Sequence, residues 1–181
     1  MGVYSMLTEA LFCLDLKSAD VPGAVEELLG LMDASSPKGE EAGVLSELLE
    51  RERLRRASGD GEFAILHAFV PHLKGKWLAF GRSKAGLSSE GFDGPPVHFV
   101  CLVLISPGES PQGFRCLNSL AVLLREPMLR TQMLWAETEE ELLLACRKSD
   151  GARRWVVVSW LKERVEALLR PSASAGSTEG G

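Results

Sequence analysis

Three histidines (His67, His72 and His98) and four cysteines (Cys13, Cys101, Cys116 and Cys146) are the side chains in these 181 residues best suited to nucleophilic or metal chemistry. An imidazole has an ordinary pKa of roughly 6.5, so near neutral pH one ring nitrogen keeps a free lone pair and attacks an electrophile without help from a strong base. The cysteines are widely separated and form no Cys-x-x-Cys pair. The histidines add no short ligand pair to them, so neither a zinc site nor any other cofactor is expected. With no glycine-rich phosphate loop and no Gly-x-Ser-x-Gly element in the chain, attention falls on His67. It follows the apolar stretch Phe63 to Ile65, and the bland alternative for it is a strand-end histidine with an ordinary hydrogen bond. His72, five positions on, reads as a solvated loop residue that could approach His67. His98 lies in a nearly all-apolar run, where a hydrogen-bonded core or sheet-edge histidine is the default.

The elements that must position these groups are legible from hydrophobic spacing. Val25, Leu28, Leu29 and Met32 recur on one face of a helix, with Asp20 as its cap and Pro22 in its first turn. Ser35 to Gly39 breaks the chain as a loop, and Val44, Leu45, Leu48 and Leu49 resume the helical pattern to about Leu54. Two helices thus precede His67. Phe63 to Ile65, Trp77 to Phe80 and Val97 to Ile105 read as strands. The last is apolar at consecutive positions except His98, as suits a central strand covered on both faces. Ser106 to Pro111 reads as a loop, Leu117, Leu120, Ala121 and Leu124 mark a further helix, and Thr138 with Glu141 forms a capping-box pattern before Leu142 to Leu144. For 155–169 the valines at 156 to 158 favour a strand and the leucines near 169 a helix; helix is preferred. The Ser, Ala, Gly and Thr run beyond Pro171 has little to bury and reads as a flexible tail. The pattern suits a layered α/β domain, with strands covered by helices. A helical extension is expected over 151–170 and the tail over 171–181. Trp77, Trp135, Trp155 and Trp160 are expected to anchor the core.

Composition narrows the partners. A hydrophobic fraction of 45% with 25% charged residues is ordinary for a globular domain, and no apolar run approaches the roughly 20 residues that would span a bilayer. Membrane insertion is therefore not expected. The formal charge of -5 offers no positive field for nucleic acid, and the Arg-dense patch from Arg51 to Arg56 is local. Met1 to Asp20 lacks the pattern of an export signal, and scattered thiols suit a reducing compartment, so a cytoplasmic location is expected.

The segment from Arg51-Glu52 through Ala64-Ile65-Leu66-His67-Ala68 resembles the stretch of the type-2 IIA domains of the bacterial sugar phosphotransferase system (the mannitol, fructose and nitrogen-regulatory IIA family) that runs into Val-Ala-Ile-Pro-His-Ala. Phe92-Asp93-Gly94-Pro95-Pro96-Val97 is similar to that family's Asp-Gly-x-Pro-Val turn, and Val100 to Pro107 to its central strand and Pro loop. Leu117 to Ala121 resembles its His-Leu-x-x-Leu-Ala helix, and Glu137 to Leu143 its Ser-x-Glu-Glu-Leu element. The likeness runs from about Leu7 to Arg147 and implies a IIA-like domain over 1–150 with an α/β, layered mixed sheet flanked by helices, a phosphotransferase/anion-transport-protein-like fold. It also implies a phosphocarrier or phosphorelay-regulatory role: His67 takes a phosphoryl group from an HPr-like carrier and passes it to a IIB domain or signals its own state to a regulator. On that reading Arg51 orients the phosphate, since a guanidinium matches phosphate geometry with more than one donor; a helix-end arginine needs no phosphate, and Arg53, Arg55 and Arg56 would fit that simpler role equally.

Departures from the family pattern fall around the same histidine. Leu66 replaces the proline before it, Arg56-Ala57 stands where Ser-Thr is expected, and Cys116 occupies the position of the second family histidine. A thiol is a weak hydrogen-bond donor. Cys116 or His72 then holds the supporting position, or the fold serves instead as a non-catalytic regulatory or interaction module.

Overall fold

The computed structural model describes residues 3–32, 44–46, 48, 62–71, 73, 75–88 and 94–149. Arg51 and His72 lie outside them, as do the expected extension over 151–170 and the tail over 171–181. The described helices are α1 (Val3–Leu7), α2 (Val21–Met32), α3 (Ser110–Leu124), α4 (Pro127–Trp135) and α5 (139–149), and the strands are β1 (Leu11–Cys13), β2 (Phe63–Phe69), β3 (Lys76–Leu87) and β4 (Val97–Ile105). Residues 44–46 and 48 are also helical.

The strands form a mixed four-stranded sheet in the order β1-β3-β4-β2. β1 is parallel to β3, β3 antiparallel to β4, and β2 parallel to β4. β4 is thus interior, as its unbroken apolar run requires, and all its residues except His98 are buried. His98 satisfies itself as expected of a histidine in such a strand: its Nδ1 lies 2.9 Å from the Ser83 carbonyl oxygen. That carbonyl is available because β3 slips out of register with β4 between Arg82 and Leu87. Within the slip Gly86 has φ +84°, and a Cβ there would stand 2.6 Å from Pro96 Cβ, so both backbone and space demand glycine.

Helices cover both faces. On one, α2 buries Val21, Ala24, Val25 and Leu28 at helical spacing against Ala64, Leu66, Ala68, Val100 and Leu102, with Leu48 in the same cluster. Its cap is the expected one: Asp20 Oδ1 accepts from the Gly23 N–H at 2.9 Å. On the other face α1, α3, α4 and α5 pack over Phe80, Phe99, Cys101, Val103 and Ile105. α5 opens on a variant of the expected capping box, in which Thr138 Oγ1 accepts from the Glu141 N–H at 3.2 Å while Glu141 Oε2 accepts from Glu137 N–H at 2.8 Å.

Several expectations are corrected. β2 runs on to Phe69, so His67 lies inside the strand, paired opposite Val103, and is not a strand-end residue. α3 begins at Ser110, inside the expected loop, because Pro111 in the first turn removes only an N–H that would have no helical partner. α1 adds a helix before His67. Trp135 does not anchor the core: it ends α4 with 66% of its surface exposed, and the Lys84 ammonium lies 6.0 Å from its ring centroid. Trp77, only partly buried, packs against the α2-side cluster, whereas Trp155 and Trp160 lie outside the described residues. All four cysteines are free thiols.

Candidate functional site

β2 alternates its side chains between the two faces, and the period of two puts Phe63, Ile65, His67 and Phe69 on the side covered by α3. His67 is half-buried. Its ring stands edge-on to Phe69, with centroids 6.4 Å apart and planes at 86°. Phe114 of α3 meets it from the other element at 6.3 Å and 66°. The two phenyl rings also touch each other, at 6.0 Å and 62°.

α3 comes this close because of Gly113. A Cβ at that position would fall 2.7 Å from Ile105 Cγ1, so a side chain there would force either Ile105 or the helix to shift. The turn before it is tied down as well, since the Ser106 N–H donates to Gly75 O at 2.9 Å and Ser110 Oγ donates to Pro107 O at 2.8 Å. From this anchored start Phe114 reaches His67. Cys116, two residues and about 200° further round the helix, turns into the core and is fully buried.

Burial dominates the thiol. It pushes the Cys116 pKa up, and the Lys76 charge pulls only partly the other way, so the sulfur keeps its proton at neutral pH. Cys101, beneath it on β4, is pushed up by burial and further by Cys116 and Cys146, which places three thiols in one apolar core. Such groups pack as small hydrophobes. Among the described residues no group of three His, Cys, Asp or Glu side chains gathers to hold a metal ion.

Two cations escaped the sequence reading. Lys76 opens β3 opposite Ile105, which in turn pairs with Phe69, so it stands in the same row across the sheet and is felt at Cys116. Its Nζ lies 3.9 Å from Glu9 Oε2. Arg82 is only 3% exposed, and its guanidinium donates to Leu14 O at 2.9 Å, to Met133 O at 3.2 Å and to Ala136 O. The last two carbonyls belong to the end of α4, so this arginine caps a helix C-terminus and joins it to the β1 end. Desolvation lowers its pKa, with Glu137 and Asp15 opposing. Neither residue carried a distinguishing sequence signal, since each has a lysine two positions away, Lys74 before Lys76 and Lys84 after Arg82.

Residues 5–149 match the family "Phosphoenolpyruvate-dependent sugar phosphotransferase system, EIIA 2", and the chain belongs to it. The chain is 28% identical over 144 residues to the PTS system fructose-specific EIIABC component of Bacillus subtilis; the match covers 79% of this chain but only 22% of that larger protein. Among solved structures, the nitrogen regulatory protein IIA-Ntr of Neisseria meningitidis superposes with a TM-score of 0.62 at 22% identity, covering 77% of this chain and 94% of that one. IIA mannitol of Escherichia coli does so with a TM-score of 0.57 at 18% identity, covering 75% and 94%. The layered mixed sheet is therefore the type-2 IIA fold. No helix among the described residues is long and apolar enough to cross a membrane.

Proposed function

We propose that His67 is the phosphoryl acceptor of this IIA domain, receiving the group from an HPr-like carrier and passing it to a IIB domain or displaying it to a regulatory protein. The observation that carries this reading is the family match over 5–149, within which a half-buried imidazole lies on the sheet face beneath α3. A ring nitrogen of His67 attacks phosphorus, an N–P bond forms, and the donor–phosphorus bond breaks with its electron pair leaving on the donor. Phosphoryl transfer asks mainly for positioning and for charge stabilisation at the equatorial oxygens, a role we assign to Arg51. For the supporting position the chain offers Cys116 or His72, the former a buried thiol that keeps its proton and lends the imidazole no charge. Cytoplasmic HPr-like donors make the cytoplasm the working compartment.

The direct test supplies phosphoenolpyruvate, enzyme I and HPr and reads intact mass under alkaline conditions. Wild type gains one acid-labile phosphate, and His67→Ala gains none. An unlabelled wild type, or a labelled His67→Ala, defeats the assignment.

A further inference from the structure

Beside the His67 imidazole stands a pair of phenyl rings. His67, Phe69 and Phe114 make a closed set in which each ring meets the other two edge-on or nearly so, at centroid distances of 6.0 to 6.4 Å. Aromatic rings favour such tilted contacts because the positive edge of one meets the negative face of another. Turning the imidazole about its side-chain bonds would break two of them at once. Phe69 is fixed by its place on the same strand face and packs against the core beneath α3. Phe114 is different: 48% of its surface remains exposed, so its burial in the core is incomplete while its contacts with the site are formed. It is held there by a helix whose approach leaves no room for a side chain at residue 113.

We infer that Phe114 is a positioning residue, holding the His67 imidazole in the orientation from which its nitrogen attacks phosphorus. The inference rests on His67 being the acceptor and deepens it. Cys116, at the place of the second family histidine, is sealed in the core with its proton retained, and a neutral buried thiol contributes little to orienting a ring on the open side. The aromatic set supplies restraint by shape, with no charge and no proton to lose. Misplacing a reacting group by a fraction of its van der Waals radius slows transfer even when the reactant still binds.

The test measures phosphoryl acceptance from phosphorylated HPr in wild type and in Phe114→Ala, Phe114→Leu and Phe114→Tyr. Phe114→Ala should lower kcat about tenfold with KM within about twofold, Phe114→Leu should behave similarly despite its bulk, and Phe114→Tyr should restore most of the rate. A raised KM with unchanged kcat would make Phe114 a contact for the donor and overturn the inference. Leucine performing as well as phenylalanine would reduce the role to volume and overturn it also. Failure of wild type itself to accept phosphate would sink the acceptor assignment and this inference together, an outcome distinct from the other two.

Discussion

Successive residues of β2 enter two different environments. Ala64, Leu66 and Ala68 face α2 and are at most 2% exposed, in a cluster built of hydrocarbon. Ile65, His67 and Phe69 face α3 and are only partly buried. One strand thus carries a sealed face that supplies stability and a half-open face on which an imidazole stays partly exposed. Neighbouring residues on a strand serve opposite purposes at no cost to each other, because the backbone alternation separates them. The same contrast holds for the helices, since α2 is capped and packed in a conventional way while α3 approaches through a glycine and presents an exposed phenyl ring.

The contrast can be broken in four places. The largest effect is expected at Arg82, which serves the half-open side from deep in its core. Arg82→Ala would leave the Leu14, Met133 and Ala136 carbonyls without their donor and should cost about 3–5 kcal/mol in denaturant unfolding. If the loss is within about 1 kcal/mol, water replaces the guanidinium and α4 is not held by it.

Next come the adjacent pair. Leu66→Ala should cost roughly 2–5 kcal/mol, as a large-to-small change in a sealed core does, while leaving labelling by phosphorylated HPr largely intact in the folded fraction. His67→Ala should cost under about 1 kcal/mol and remove labelling entirely. Equal destabilisation by the two would erase the distinction between the faces.

Gly113→Ala should lie lower in energy, at about 1–3 kcal/mol for overpacking against Ile105. Its sharper consequence is geometric, since moving α3 away from β4 carries Phe114 off His67. Slower phosphoryl acceptance is the expected reading, and an unchanged rate would show that α3 can yield without disturbing the imidazole.

The smallest effect concerns Glu27, which ties α2 to the segment before it by accepting from Ser18 Oγ, from Ser18 N–H at 2.6 Å and from Lys17 N–H at 3.1 Å. The Ser18 hydroxyl first, and then these two amides, hold its carboxyl below the ordinary value. A carboxyl depressed in the folded state stabilises above its unfolded pKa, and that contribution disappears as pH falls through the folded value. Glu27→Gln should therefore unfold about 1 kcal/mol more easily at pH 7, and its difference from wild type should shrink toward pH 3 in parallel thermal melts. A gap independent of pH would mean that the carboxylate charge does not matter there.

Much of this organisation was legible in the residues. Val97 to Ile105 announced a central strand because nine positions hold one non-apolar side chain, and Asp20 with Pro22 announced the start of α2 because capping is a local transaction among four residues. His67 stood out by the scarcity of competing nucleophiles. α1 and β1 were missed because five and three residues are too few to show a period, and Leu11 to Cys13 becomes a strand only by pairing with Ala79 to Gly81. Trp135 was misjudged because aromatic type predicts burial only on average, whereas its place at the end of α4 left it in solvent.

By itself, then, the amino-acid sequence determined the class of fold, the interior strand and the histidine worth testing, since each depends on residue type and on periods of two or 3.6. Tertiary structure alone decided the strand order, the burial of Arg82 and Cys116, and the meeting of Phe114 with His67 across 47 positions of chain. These are contacts between distant segments, selected by how whole surfaces fit once the sheet has formed, and no local pattern of side chains encodes them.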